Sequence, residues 1–335
     1  MSPSSATGPP CAHRSRQLEN PPWVRRQKML TDSNITPVLV TGATGRQGGS
    51  GRAVVETLIQ HGCSVRALVR SLDQRADVLK KMGAEVVVGD FMKYASIVAA
   101  LDGVKSAYFC YPVAPGLTEA AGLFAAAGRK QGLQNVVDLS LASSRPDSPS
   151  PQGRAQWVSE QIFEWAGFSG VHLRIAAFFM ENVALIDGPG IRADARIANS
   201  FGDLPLPWIS GEDVGALAAN ILLNPKLAST RAIYAGGVER LTYAQVADTV
   251  SSISGLAVRY EELTPEAWHA ELVAASAKAG EANVRGADHL VAQSVALRAN
   301  PIPRIPDHVL EFTGRAPLSF TKYVAAQGAT LMPKA

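Results

Sequence analysis

Residues 40–58 read VTGATGRQGGSGRAVVETL: a β-branched strand end breaks into five glycines and leaves them as an apolar helix pattern. Upstream, Pro37 opens PVLVTG, a run that is apolar throughout, as in a strand covered on both faces. Downstream, Val54, Val55, Leu58 and Ile59 recur at helical spacing, and His61-Gly62 ends the helix. Gly42, Gly45 and Gly48 stand between them as G-x-x-G-x-x-G. Glycines so placed allow positive φ, let backbone approach a pyrophosphate, and let helix pack closely on strand. The helix start then offers free N–H groups and a partial positive charge to phosphate oxygens. It is the strand before and the helix after that turn a common glycine pattern into a dinucleotide-binding expectation.

Working outward, further short apolar runs follow at SVRALV (64–69), AEVVVGD (84–90), SAYFCY (106–111), NVVDLS (135–140) and VHLRIAAF (171–178). Helical patterns separate them at about 72–81, 96–101, 118–131 and 157–166. Fully apolar strands alternating with helices indicate βαβ units and a parallel sheet, so the expected class is α/β: a doubly wound, Rossmann-type domain. Beyond Phe178 the rhythm loosens. IANSFGD, PLPWIS and RAIYAGG read as short strands, with helices at 213–223, 242–253, from Thr264-Pro265, at 281–298 and after Ser319, and a strand at AVRYEEL. The expected organisation is a disordered tail over 1–34, a Rossmann domain over 35–181 completed by strands within 197–237, and a smaller, mostly α-helical substrate cap over 182–330.

The end of the second strand bears on the cofactor. An acid about 20 residues after the glycines binds ribose hydroxyls in NAD sites, whereas an arginine suits a 2′-phosphate. Here Arg70 stands 22 residues after Gly48, no acid appears before Asp73, and Arg46 adds charge inside the turn. NADP(H) is favoured.

Composition removes other classes. The 335 residues are 47% hydrophobic and 18% charged with net charge +3, and no basic run marks a nucleic-acid face. No apolar run reaches the roughly 18 residues of a membrane span. Three cysteines without CxxC spacing argue for a reducing, cytoplasmic setting. The histidines lack metal-ligand spacing, and there is no Gly-x-Ser-x-Gly elbow, so no metal or hydrolase site is expected. Residues 1–34 are rich in Pro and Ser; the Pro9-Pro10 and Pro21-Pro22 pairs oppose an amphipathic transit helix, and Met29 is an alternative start. A small-molecule substrate, no nucleic-acid or membrane partner, and a monomer or homodimer are expected.

VTGATGRQGG, VRALVR, GAEVVVGDF, LRIAAFFMEN, ISGEDVGALAANIL and FTGRAPLSFTKYV together resemble the NmrA-like group of atypical short-chain dehydrogenases/reductases, from Pro37 to about Ala326. The resemblance implies that Thr44, Gly45, Arg46, Gln47 and Gly48 cradle a pyrophosphate. It implies that Asp90 and Phe91 flank the adenine, that Tyr111 and Pro112 pass the ribose, and that Phe179, Met180 and Asn182 border nicotinamide and substrate. Relatives of this kind run from GGS straight into the Val-Val of the helix; here Gly51-Arg52-Ala53 intervenes, either as an earlier helix start or as a longer loop. The Tyr-x-x-x-Lys pair that passes a proton in typical short-chain dehydrogenases is missing from SPQGRAQWVSEQIFEW. Gln156 stands before Trp157 where relatives often keep a Lys, and Ser140 stands at the family's Ser/Thr position, so these two are the catalytic candidates. The expected function is NADPH-dependent reduction of a small conjugated or aromatic acceptor of quinone, iminium, enone or azo type, whose proton can come from water. An apolar cap with Trp208, Tyr243 and Trp268 favours it. The alternative is a non-catalytic NADP(H)-sensing protein that acts through a protein partner.

Overall fold

A computed structural model describes residues 36–45, 49–176, 179–278, 280 and 283–331. The tail expected over 1–34, and Arg46, Gln47 and Gly48 of the turn, lie outside the described residues. In chain order come β1 (Val38–Thr41), α1 (Ser50–Gln60), β2 (Val65–Val69), α2 (Gln74–Met82), β3 (Glu85–Val88), α3 (Tyr94–Ala100), β4 (Ser106–Phe109), α4 (Leu117–Gln131), β5 (Asn135–Leu141), α5 (Pro151–Trp165) and β6 (Ser169–Ile175). Then come α6 (Gly188–Asp194), β7 (Arg196–Asn199), β8 (Leu206–Pro207), α7 (Gly211–Leu223) and β9 (Ala232–Ala235). Seven of these strands form one sheet, all parallel, in the order β3-β2-β1-β4-β5-β6-β9. The order reverses between β1 and β4, and in such sheets ligands bind in the crevice beyond the carboxyl ends of the strands at that switch point.

Both faces of the sheet are covered, which explains why its strands are apolar without alternation. On one face Val54, Val55 and Leu58 of α1 and Val214, Leu217 and Ile221 of α7 pack on Val40, Ala67 and Val69. On the other, Ile97, Phe124 and Phe163 from α3, α4 and α5 cover Leu39, Leu68 and Phe109. Helix α5 begins six residues before the expected position, because Ser150 caps it through the Gly153 N–H and Pro151 fits its first turn.

Of the strands expected to return to the sheet within 197–237, only β9 does so. The cap adds β10 (Arg240–Leu241), α8 (Tyr243–Ser254), β11 (Arg259–Glu262), α9 (Pro265–Lys278), α10 (Val284–Ala299), α11 (His308–Thr313) and α12 (Phe320–Leu331). There β7 pairs with β11, and β8 with β10, so these strands find partners inside the cap. Trp208, Tyr243 and Trp268, read from sequence as favouring a substrate pocket, are buried in the cap's own core. Tyr243 meets Trp208 at 5.2 Å and Phe201 at 5.5 Å between ring centroids, and Trp268 meets Phe201 at 5.5 Å. Their bulk holds the cap together and leaves the crevice to polar groups.

Candidate functional site

The phosphate end of the crevice is made of backbone. Gly42 has φ +72°, and a Cβ there would lie 2.9 Å from the Cys110 side chain. The Gly45 N–H donates to the Gly42 carbonyl at 2.9 Å, closing the turn. Thr41 Oγ1 donates to Tyr108 O and accepts from the Cys110 N–H at 2.8 Å, stitching β1 to β4 at the switch point. Helix α1 starts after Gly49, which is left-handed at φ 63°, and no side chain caps it. Its first N–H groups are thus open to an anion, as phosphate binding at a helix start requires. The glycine that lets this helix lie on the turn is Gly51: a Cβ there would sit 2.8 Å from Ala43 N and from Gly42 C and O. Gly51 thus makes a close helix-on-turn contact, and Gly51, Arg52 and Ala53 lie in the first turn of α1, the earlier helix start rather than additional loop.

Around this turn, Arg70 is exposed just past β2, Asp90 follows β3, and Tyr111 and Pro112 follow β4. All four are on loops at the carboxyl edge of the sheet. Asp90 Oδ1 accepts the Met92 N–H at 3.0 Å, and Phe91 packs between Phe109 and Tyr111 at 5.3 and 5.6 Å. Burial raises the Tyr111 phenol, and the Arg70 charge works against that shift. Arg75 was missed from sequence. It donates to the Thr44 carbonyl at 2.9 Å and forks onto Asp73, whose side chain caps α2. It ties the turn to α2, and only contact through the fold, across 31 positions, could have shown it.

The other end of the crevice is made of side chains. Ser140 is fully buried, but its hydroxyl donates to Glu160, which forms an ion pair with Arg174 of β6. This corrects Ser140 as a catalytic candidate: its hydroxyl is committed beneath α5. Along the buried face of α5, one and two turns toward the helix start, come Gln156 and Gln152. This is the four-residue spacing of a Tyr-x-x-x-Lys pair, filled by two amides. Gln156 Oε1 and Gln152 Nε2 are buried with no hydrogen-bond partner among the described residues. The cap's α10 closes over them, with Arg285 Nε donating to Gln152 Oε1 at 3.2 Å, His289 Nδ1 2.8 Å from Ser150 Oγ, and Gln293 Nε2 donating to Ser143 Oγ. Burial, aided by Arg285, pushes the His289 imidazole down to about 4, so it is neutral at physiological pH. No proton donor active near neutrality is found among these five α5 and α10 side chains.

The segment expected to border substrate divides. Met180 is buried in the cap core, Phe179 bridges to Ile209 and packs on the sheet's core, and Asn182 remains half-exposed. Met180, expected at the substrate, instead faces the cap core, where its backbone N–H donates to the Ile209 carbonyl. Between it and Asn182, Glu181 accepts the Gly211 N–H at the start of α7, and burial pushes its carboxyl up to about 7. Glu181 also lines a cleft of about 770 Å³ that runs along the outer face of α1, past Arg52 and Glu56. That cleft is also lined by Ala43, Thr44, Gly45 and Gly49 of the turn and by Arg75. Cys63 and Cys110 are free thiols, and burial pushes Cys110 up to about 12, which removes it as a nucleophile. Among the described residues no His/Cys/Asp/Glu group could hold a metal, and no helix is long and apolar enough to cross a membrane.

A parallel sheet in this order, with a glycine turn and an uncapped helix at its switch point, defines a Rossmann-fold protein of the dinucleotide-binding type. Residues 35–156 match the model of the NmrA-like family. An NAD(P)H azoreductase of Xenophilus azovorans is 28% identical over 229 residues, covering 68% of this chain and 78% of its own. The (4-alkanoyl-5-oxo-2,5-dihydrofuran-3-yl)methyl phosphate reductase of Streptomyces griseus subsp. griseus is 28% identical over 301 residues, covering 89% of this chain and all of its own. Among solved structures, the NADPH complex of the NADPH-dependent quinone oxidoreductase QOR2 from Escherichia coli superposes with a TM-score of 0.73 at 20% identity, covering 86% of this chain and 99% of its own.

Proposed function

We propose that this protein is an NADPH-dependent oxidoreductase that reduces a small conjugated or aromatic acceptor of quinone, enone, iminium or azo type. The observation that carries it is the backbone cradle at the switch point: the Gly42–Gly45 turn, with Gly51 drawing the uncapped start of α1 onto it. Three relatives with reductase names support the class, and each acts on an acceptor of this general kind or on a conjugated ring. Thr44, Gly45 and the α1 N–H groups would hold the pyrophosphate, and Arg70 the 2′-phosphate. Asp90, Phe91, Tyr111 and Pro112 would border the adenosine and ribose. Bound NADPH supplies the hydride. The chain's part is to hold the acceptor beside it and exclude bulk water. With amides where a Tyr and a Lys would stand, the acceptor must be one whose reduced form takes its proton from solvent. Two free thiols fit a reducing, cytoplasmic setting.

Fluorescence titration of NADPH and NADH, followed by an acceptor screen at the nicotinamide absorbance, tests this. Binding of NADPH in preference to NADH, lost by about tenfold in Arg70→Ala as expected for one charge-assisted contact, with turnover of at least one acceptor class, is the expected result. Tight NADPH binding without turnover across the panel would instead favour the sensor reading, which the paired amides at 152 and 156 also permit.

A further inference from the structure

Eight buried polar side-chain atoms lack a hydrogen-bond partner among the described residues, and five of them fall between Ser144 and Ser159. Buried polar atoms are nearly always satisfied, so orphans gathered on one loop and one helix face mark a surface shaped for polar company. The helix level locates them. Glu160 bonds Ser140 and Arg174, each the penultimate residue of its strand, so it lies level with the sheet's carboxyl edge. Four and eight residues toward the helix start, Gln156 and Gln152 stand about 6 and 12 Å farther along the axis. That is the space above the strand ends where ligands of this fold bind.

The orientation of the Gln152 amide follows from chemistry. Arg285 is a donor only, so the Gln152 atom that meets its Nε must be the oxygen. The NH₂ group is therefore aimed away from Arg285, and it is the orphan. Arg285 is itself held in place: Arg285, His289 and Gln293 recur every four residues on α10, and each bonds the β5–α5 loop or the first turn of α5.

We propose that Gln152 Nε2, aimed by Arg285, donates a hydrogen bond to a carbonyl-type oxygen of the acceptor, which selects quinone- and enone-like acceptors. The proposal rests on the reductase reading above. When hydride adds to carbon of such an acceptor, the π electrons move to oxygen, and a preorganised N–H stabilises the negative charge that grows there. A neutral amide does not surrender its proton at neutral pH, so the oxyanion is held by Gln152 and protonated by water. The nicotinamide has lost one hydride, and the acceptor has gained that hydride and one solvent proton. Arg285 is a positioning residue, since it touches Gln152 and not the reacting oxygen.

The test compares kcat/KM of the full-length protein for a benzoquinone and for a cationic triarylmethane dye, whose hydride adduct carries no oxyanion. In Gln152→Leu the quinone-to-dye ratio is expected to fall by roughly 10²-fold, the range lost with one oxyanion donor, while NADPH affinity is kept. Arg285→Met should move the ratio the same way by a smaller factor, through kcat more than KM. An unchanged ratio in Gln152→Leu, with a melting temperature near wild type, overturns the proposal. If the wild type reduces neither acceptor, the reductase reading fails separately. Benzoquinone binding to the NADP⁺-loaded protein then decides: weaker in Gln152→Leu supports the donor, and equal affinity overturns it. An unstable leucine variant is replaced by Gln152→Glu, which keeps the Arg285 contact and removes the donor.

Discussion

At the proposed phosphate end of the crevice the groups on offer are backbone atoms a few residues apart, between Gly42 and Gly51. At the reacting end they are side chains brought together across 133 to 150 positions: Arg285 on Gln152, His289 on Ser150, Gln293 on Ser143. The first kind of site tolerates change in side chains and fails when a Cβ intrudes. The second has little backbone constraint and depends on how the cap seats. Substitutions at the two ends should therefore fail differently, one in cofactor affinity and the other in stability and acceptor choice.

The largest effect is expected beneath the reacting end. Arg174→Met would leave Glu160, 1% exposed, without its cation and with only the Ser140 hydroxyl as a side-chain partner. Breaking a buried ion pair from one side costs about 3–5 kcal/mol, and chemical denaturation should read it. Cofactor contacts at the turn do not involve this pair, so the affinity of the remaining folded protein for NADPH should hold. A matched loss of affinity would show that the two ends are one cooperative unit.

Next comes the seat of the cap. His289 is held neutral, with its pKa lowered to about 4 from 6.5. Between those values the unfolded chain binds a proton that the folded protein refuses, so stability falls as pH drops from 6.5 toward 4. The linked loss approaches about 3 kcal/mol at the acid end. His289→Gln should lack this contribution. The wild-type-minus-variant difference in unfolding free energy, flat above pH 6.5, should decline through the window below it. A parallel pair of curves would mean that His289 titrates normally and that α10 does not bury it in solution.

These two ends also differ in how far sequence alone reveals them. The turn's setting was legible because glycine positions, the strand before and the helix after are local facts. The sheet was legible because double burial makes strands apolar throughout. The cap was not: β7 and β8 look like sheet strands, but their partners β11 and β10 lie later in the chain. The amide pair was hidden by a helix start placed at 157; the Ser150-Pro151 cap signal moves it to 151 and puts Gln152 and Gln156 on one face. Arg285 carries no local mark at all, since only the docking of α10 gives it a partner.

At the turn, Gly51→Val should act on binding. The branched side chain would start 2.8 Å from the Gly42 carbonyl, and backbone on both sides leaves nothing flexible to yield. Overpacking of this sort costs about 1–3 kcal/mol, or roughly 10–100-fold in NADPH affinity if the turn itself shifts. Gly48→Val, by the same logic, should cost less, since Gly51 makes the helix-on-turn contact. Equal losses at the two positions would return the packing role to Gly48.

The smallest effect is expected from the largest edit. Deleting Gly51-Arg52-Ala53 joins Ser50 to Val54 and leaves Gly48 three residues before Val54, the spacing Gly51 has now. Gly48 can then take the place against Gly42, with the apolar face of α1 in register. Ser50 would replace Ala53 against Gly215 of α7, one small residue for another. NADPH affinity within about threefold of wild type, under ~1 kcal/mol, is the expected result by fluorescence titration. A tenfold or greater loss, with the melting temperature kept, would mean that these three residues themselves shape the cofactor site. The phosphate end would then depend on particular side chains as the reacting end does, and the contrast between them would narrow to one of degree.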